Sequence, residues 1–183
     1  MKRFQTITLK DSRTCVIRNG TECDAEAVLS NFILTHAQTD FLTTYPEETT
    51  FTVEQERAYL KKKADSDREI ALVAEVEGTI VGTAGVDLLR AAEKTRHRAS
   101  FGISIEQAYW GLGIGWALTN ACIECAITAG YAQIELEVVA DNKRALALYQ
   151  RAGYVEYGRN PRGFRSRQSG WQETVLMRRE LDG

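Results

Sequence analysis

The sequence is poor in several features that would mark specialised classes of protein. It has two prolines and four cysteines among 183 residues, and no apolar run reaches the roughly 18 residues of a transmembrane helix. Residues 1–13 are too polar to hold the core of a signal peptide. We therefore expect neither a Pro-rich linker nor a membrane partner, and the expected location is the cytoplasm.

A large excess of positive or negative charge is also missing. The formal net charge is −2, which gives no basic footprint for nucleic acid. Hydrophobic residues make up 44% of the chain and charged residues 26%, as in ordinary soluble globular proteins. The length suits one domain with a sizeable core, so residues 1–183 are predicted to form a single domain.

The cysteines do not form a recognisable metal or redox motif. Cys122 and Cys125 lie three residues apart inside an apolar helical stretch, whereas a redox C-x-x-C begins a helix. Cys15 and Cys23 do not complete the spacing of a zinc ribbon or finger. Buried, reduced structural thiols and no metal are therefore predicted.

Hydrophobic periodicity predicts strands alternating with helices in a mixed sheet covered by helices. The predicted strands lie near residues 13–18, 69–77, 79–87, 98–105, 134–139, 154–158 and 171–179. The predicted helices run from Thr21 to about His36, from Thr52 to about Lys63, from the glycines after residue 110 to about Gly130, and from Asp141 or Asn142 to Gly153. Glu77-Gly78 indicates a hairpin turn.

The segment "YWGLGIGWAL", residues 109–118, carries the clearest chemical signal. Its glycines at alternate positions follow a strand and precede a helix. The first N–H groups of a helix lack partners and carry partial positive charge, so bare backbone there can bind an anion such as a phosphate. Glycines that merely allow close packing of helix and strand are the structural alternative.

Two common phosphate motifs do not fit this segment. The third glycine of G-x-G-x-x-G is replaced by Trp116 or Leu118, depending on where the count begins. Glu135 lies about twenty residues further on, so a dinucleotide site is weakened as an alternative without being eliminated. A P-loop is excluded because no G-K-[ST] follows.

The order of "YWGLGIGWAL", the strand "IELEV" and "NKRALALYQRAGYVEYG" resembles the GNAT family of acyl-CoA-dependent N-acyltransferases. "VEGTIVGTAGV" and "DAEAVL" extend the resemblance to about residues 16–177. It implies an α/β fold with a mixed, mostly antiparallel twisted sheet of about six or seven strands, a splayed central pair and about four helices. Trp110 stands where the family usually has Arg or Gln, so phosphate binding is expected to rest on backbone and helix dipole, without side-chain charge.

The resemblance also implies acetyl-CoA as co-substrate and assigns residues to it. The pyrophosphate is expected at the glycine turn and pantetheine along the strand before it. The residues implied are Ile103, Ser104, Ile105, Leu112, Gly113, Ile114, Gly115, Trp116, Asn142, Ala145 and Tyr149. Ser100, Gly102 and Ser104 leave one face of that strand without bulk, which fits such a channel or, alternatively, a covering helix.

The implied reaction is direct attack of a neutral amine on the thioester. Tyr149 matches the family position near the sulfur, where it can protonate the departing thiolate; a core tyrosine is the alternative. Relatives carry a glutamate on the strand before the turn, and this chain does not. Glu106 and Glu137 are the candidate catalytic carboxylates, with Glu47 and Glu48 as further possibilities for the base.

The loop at residues 40–50 carries Tyr45, Glu47 and Glu48, which predicts binding of a cationic primary amine: a small amine, an aminosugar, or a peptide or lysine amine. Acidic loops are also common on ordinary surfaces. An acyl-CoA-binding regulatory module without catalysis and a dinucleotide-binding enzyme are the other functions considered. A monomer or a homodimer is expected, with the last predicted strand as a candidate edge.

Overall fold

In the computed structural model, which describes residues 2–181, eight strands form one mixed sheet. The strands are β1 Phe4–Thr8, β2 Thr14–Asn19, β3 Ile70–Val76, β4 Thr79–Leu88, β5 Arg98–Ile105, β6 Gln133–Val139, β7 Val155–Ser166 and β8 Gly170–Glu180. The same residues contain four α-helices: α1 Ala25–Ala37, α2 Val53–Ala64, α3 Ile114–Thr128 and α4 Lys143–Arg151. None of these helices is long and apolar enough to cross a membrane.

Local signals in the sequence begin and end several elements where they were predicted, although α1 begins at Ala25, after a short 3₁₀ turn that Thr21 caps. Thr52 Oγ1 accepts a hydrogen bond from Gln55 N–H, and Gln55 Oε1 accepts one from Thr52 N–H, which forms the capping box of α2. At the hairpin between β3 and β4, Glu77 and Gly78 both have positive φ angles of 50° and 78°. Such angles suit a tight two-residue turn.

The strand order is β1-β2-β3-β4-β5-β6-β8-β7, and every neighbouring pair is antiparallel except β5 with β6. This parallel pair is short, because Arg98, Ala99 and Ser100 pair with residues 133–135 and no later residue of β5 does. Beyond Ser100 the two strands separate, and β6 continues its pairing with β8 alone. The predicted splayed central pair is therefore confirmed.

The two faces of β5 meet different parts of the molecule. Ala99 and Phe101 belong to the hydrophobic core that α3 covers. Ser100, Gly102 and Ser104 line a cavity whose far wall is formed by side chains of α1 and α2. The face without bulky side chains thus borders a cavity, with α1 and α2 on its far side.

The structure corrects the predicted boundaries at both edges of the sheet. β1 was not predicted, because its residues are only half-buried or exposed and carry a weak alternation of polar and apolar side chains. β7 extends to Ser166, well past the predicted end at residue 158, with one register shift between Glu156 and Gly158 and a second, between Asn160 and Phe164, that contains Pro161. Proline is tolerated there because β7 is an edge strand. β8 lies between β6 and β7, so the prediction that the last strand is an edge was wrong.

Three of the four cysteines are buried, as predicted for structural thiols, and the fourth is not. Cys15, Cys122 and Cys125 are buried and Cys23 is exposed, with no disulfide among the described residues. Burial raises the pKa of the Cys15 thiol to about 11 and raises that of Cys122 as well. These buried thiols are therefore protonated at neutral pH and poor nucleophiles.

Candidate active site

The glycine turn places the start of α3 beside the open edge of β5. Gly111 and Gly113 have φ angles of 81° and 109°, which side chains with a Cβ rarely adopt. Gly113 is the N-cap of α3. Gly115 serves another purpose, since a Cβ there would lie 3.3 Å from Leu148 and 3.5 Å from Ile105. The turn thus combines backbone conformations that favour glycine with close packing at the start of α3.

The N–H groups of residues 112–116 have no hydrogen-bond partner within the part of the chain that the structure describes. The turn itself is held from outside, because Leu112 O accepts a hydrogen bond from Lys10 N–H at 3.2 Å in the turn between β1 and β2. Unpartnered N–H groups at the positive end of a 15-residue helix favour an anion.

Two arginines of α4 add side-chain charge beside the turn. The Arg144 guanidinium stacks on Trp110 at 3.7 Å from the ring centroid, and Arg151 stacks on Trp116 at 4.1 Å. Neither arginine forms an ion pair or hydrogen bond within residues 2–181. Partial burial lowers the pKa of Arg144, because desolvation disfavours its charge. The expectation that charge is missing here was wrong, since Trp110 positions an arginine from another element.

Trp110 also ties the turn to the end of β5. Its Nε1–H donates to Ile105 O at 2.7 Å, so the indole lies across the strand end while its face carries Arg144. The predicted pantetheine residues Ile103, Ser104 and Ile105 lie on the part of β5 that does not pair with β6. Ser104 is within 3.2 Å of Thr83 through their hydroxyl oxygens.

The open face of the sheet forms one wall of a cavity of about 860 Å³. Strands β3 to β6, helices α1, α2 and α4, and the loop after α1 contribute to it. Its ionisable side chains are His36, Glu48, Glu56, Tyr59, Asp87, Glu137 and Tyr149. No lysine or arginine of the described chain is among its wall residues, so the cavity is acidic.

Tyr149 lies on α4 where the cavity meets the gap between β5 and β6. It is 7% exposed and packs against Phe101 and Tyr154, with ring centroids at 6.1 Å and 5.9 Å. Burial raises the pKa of Tyr149, so the phenol is neutral and can donate a hydrogen bond. Its hydroxyl has no partner among residues 2–181.

Residues 32–154 match the sequence profile of the acetyltransferase (GNAT) family. This chain is a member of the GNAT family.

Similar solved structures agree with the fold of this GNAT protein. An acetyltransferase of the GNAT family from Streptococcus pneumoniae is 28% identical, with a TM-score of 0.86 over 91% of this chain and 99% of that one. A ribosomal-protein-alanine N-acetyltransferase from Brucella melitensis is 27% identical, with a TM-score of 0.78 over 90% and 99%. A phosphinothricin acetyltransferase from Sinorhizobium meliloti, solved in complex with acetyl-CoA, shares the fold at 20% identity and a TM-score of 0.78 over 96% and 89%.

An uncharacterized protein of Mycobacterium leprae is 34% identical over 120 residues. The match covers 62% of this GNAT chain and 32% of that relative, so the chain corresponds to about a third of the longer protein.

Asn142 and Ala145, both assigned to the cofactor, interact with each other at the start of α4. Asn142 is the N-cap, and its Oδ1 accepts a hydrogen bond from Ala145 N–H at 3.2 Å. The side chain of Asn142 also lines the cavity, and its amide N–H groups have no partner within residues 2–181. The structure therefore combines capping with an amide that faces the site.

The two candidate catalytic carboxylates lie in different surroundings. Glu137 lines the cavity and accepts a hydrogen bond from Thr174 Oγ1 at 2.5 Å. Glu106 follows β5, accepts a hydrogen bond from Asn31 Nδ2 at 3.0 Å, and is not part of the cavity wall. The geometry brings Glu137 and Tyr149 to one cavity and places Glu106 against α1.

The loop predicted to bind substrate is joined to the tip of the β7–β8 hairpin. Tyr45 Oη accepts a hydrogen bond from Arg167 N–H at 2.7 Å, and the Arg167 guanidinium forms an ion pair with Glu47. Asp40 accepts hydrogen bonds from Ser166 and Ser169 hydroxyls at 2.7 Å and 2.8 Å. Tyr45 and Glu47 are thus both bound to Arg167 in this junction.

Of the three loop residues, Glu48 alone lines the cavity; its carboxylate accepts a hydrogen bond from Tyr45 N–H at 2.6 Å.

Four ionisable wall residues were not anticipated from the sequence: His36, Glu56, Tyr59 and Asp87. His36 Nδ1 lies 2.7 Å from Phe32 O, which can only accept, so Nδ1 carries the proton. Burial lowers the pKa of His36 and keeps its imidazole neutral. Glu56 could have been suspected, because it shares the inner face of α2 with Leu60 and Lys63.

Replacing Arg144 by Gln is expected to raise the Kd of CoA about tenfold, the effect of losing one charge-assisted hydrogen bond to a phosphate. Calorimetric titration with CoA measures this change. Arg162→Gln is the matched control, because Arg162 also stacks on a tryptophan, Trp171, but on β7. An unchanged Kd in Arg144→Gln would mean that backbone groups alone bind the phosphates.

Proposed function

We propose that this protein transfers an acetyl group from acetyl-CoA to the primary amine of a cationic acceptor. The observation that carries the proposal is the gap between β5 and β6. It joins a turn rich in unpartnered N–H groups on one side to an acidic cavity on the other. A molecule bound through the gap has its anionic phosphates at the turn and its reactive end at the cavity.

The chain's own groups fit acetyl-CoA. The N–H groups of residues 112–116, with Arg144, bind the pyrophosphate, and the unpaired edge of β5 from Phe101 to Ile105 accompanies the pantetheine arm. The amide N–H groups of Asn142 donate hydrogen bonds to that arm. Bound acetyl-CoA supplies a thioester whose carbonyl carbon the amine attacks, with the thiolate as leaving group.

The acceptor must lose protons before and during the attack, because an ammonium group has no lone pair. Glu137 is the proposed base, acting directly or through water from the cavity wall. Tyr149 donates a hydrogen bond to the sulfur as negative charge develops there. Its raised pKa keeps the phenol protonated and favours hydrogen bonding over full proton release. A backbone N–H of β5 stabilises the carbonyl oxygen.

The acidic cavity supports a cationic acceptor. Its wall carries four carboxylates and no Lys or Arg among the described residues. A small amine, an aminosugar and a lysine or terminal amine of a peptide all have this character. Tyr45, Glu47 and Glu48 remain proposed neighbours of the acceptor, with Glu48 the one on the wall.

A panel of cationic, neutral and acidic amines tests the function, with release of the CoA thiol from acetyl-CoA as the readout. We expect turnover to be confined mainly to the cationic amines, because the wall carboxylates repel anionic ones. Preference for neutral or acidic amines would contradict the acceptor class. Tight acetyl-CoA binding without turnover of any amine would favour a binding module that lacks catalysis, for which the missing glutamate on β5 is the main support.

Tyr149→Phe is expected to lower kcat by roughly a hundredfold with little change in KM, because the phenol acts on the leaving sulfur and not on the acceptor. Steady-state kinetics on the best amine of the panel measure both constants. Tyr154→Phe is the control, since Tyr154 is an equally buried neighbour outside the cavity wall. Equal losses of kcat in the two variants would mean that the Tyr149 hydroxyl contributes to packing and not to the reaction.

Glu137→Gln is expected to lower kcat roughly a hundredfold, as removal of a general base does. Glu106→Gln keeps an acceptor for Asn31 and is expected to stay near wild-type activity. The pH dependence of kcat/KM for both variants provides the measurement. A large loss in Glu106→Gln together with an active Glu137→Gln would reverse the assignment.

A further inference from the structure

One carboxylate in the cavity has no partner. Glu56, on α2, is 7% exposed and lines the cavity. Its carboxylate forms no hydrogen bond or ion pair with any residue that the structure describes. Desolvation by burial is the cause that raises its pKa. The carboxylate is therefore partly withdrawn from water and faces the cavity without a partner from the described protein.

The other wall carboxylates are engaged, so Glu56 differs from them. Asp87 forms an ion pair with Lys63, Glu137 accepts from Thr174, and Glu48 accepts from a backbone N–H. Lys63 lies two turns beyond Glu56 on the same helix, and its side chain is 2% exposed. It also lies 3.4 Å from Glu69, so the charge of this lysine is already compensated.

An unpaired carboxylate at this depth does not help the protein to fold. Burying a charge without a partner is unfavourable, and the raised pKa expresses the same cost. The folded protein thus loses stability above the pKa of an exposed glutamate, where the unfolded chain carries the charge freely. A buried titratable group with a perturbed pKa on a cavity wall is typical of a site that contacts a ligand.

The position of Glu56 sets its distance from the reacting atoms. α2 packs on β3, whereas Tyr149 and the gap lie beyond β5. Strands are about 4.8 Å apart, so the two ends of the cavity are separated by roughly 10 Å across the sheet. A hydrogen bond accounts for roughly 3 Å of that span. Several carbon atoms then separate the group at Glu56 from the amine that reacts.

We propose that Glu56 binds a second cationic group of the acceptor, which makes the substrate a dication with its two nitrogens several carbons apart. The inference rests on the proposed acetyl transfer and names its substrate class. One amine reacts in its neutral form at the gap. The other stays protonated at neutral pH, as an alkylammonium with a pKa near ~10.4 does, and pairs with Glu56.

The test compares α,ω-diaminoalkanes, from diaminopropane to diaminohexane, with n-alkylamines of the same chain lengths. The readout is the ratio of kcat/KM for diamine over monoamine at each length. We expect wild type to favour the diamine most strongly at one or two lengths. Glu56→Gln should lower that ratio roughly 30-fold, the effect of losing one partner of a buried charge pair. Glu54→Gln is the control, since Glu54 is an exposed residue of the same helix.

Melting temperatures separate binding from a structural role. Glu56→Gln is expected to melt at a higher temperature than wild type without ligand, because it removes an uncompensated buried charge. A lower melting temperature, an unchanged ratio, or an equal loss of activity with diamines and monoamines would each overturn the proposal. Equal loss would point to a catalytic or structural role for Glu56 instead.

The experiments distinguish a failure of the proposed dication site from a failure of the proposed acetyl transfer. If no amine releases CoA, the proposed function fails, and calorimetric titration of the CoA complex with the same diamines still measures the subsite. Binding to wild type that is lost in Glu56→Gln supports the dication site. No binding of any diamine, or binding unaffected by the substitution, overturns it.

Discussion

The separation of β5 from β6 is the constraint on which the rest of the site depends. Three residues of each strand pair, and from Phe101 onward the backbone groups on that edge of β5 lack the partners that a continuous sheet would provide. Unpaired backbone is costly unless water or a ligand satisfies it. The glycine turn follows β5 after one short 3₁₀ turn, Gln107–Tyr109, so the start of α3 lies beside the opening.

The charges around this opening are divided by sign. The turn side carries unpartnered N–H groups and the guanidinium of Arg144, which stacks on Trp110 and has no anionic partner within the described residues. The cavity side carries Glu48, Glu56, Asp87 and Glu137. A molecule with phosphates at one end and an acyl group at the other suits the first side, and an amine suits the second. The sheet keeps the two sets of charges apart.

The wall over the acidic cavity is built from segments far apart in the chain. Asp40 binds hydroxyls of Ser166 and Ser169, and Arg167 joins Tyr45 and Glu47, so the loop after α1 and the tip of the β7–β8 hairpin form one junction. This junction explains why β7 continues beyond its predicted end: the strand carries the hairpin to the loop. Acidic residues that looked available for substrate are used to connect the two segments.

Much of the fold follows from the sequence, because its signals are local. The capping box at Thr52, the turn at Glu77-Gly78 and the glycine turn before α3 depend on the conformations of a few adjacent residues. Edge strand β1 escaped prediction and only the first part of β7 was predicted, since exposed strands lack a strong apolar alternation. The sequence by itself determined the family, the order of elements from β2 onward and the glycine turn before α3. Only the tertiary structure decided that Arg144 meets Trp110 and that Glu56 is left without a partner, because such pairings depend on how separate elements pack.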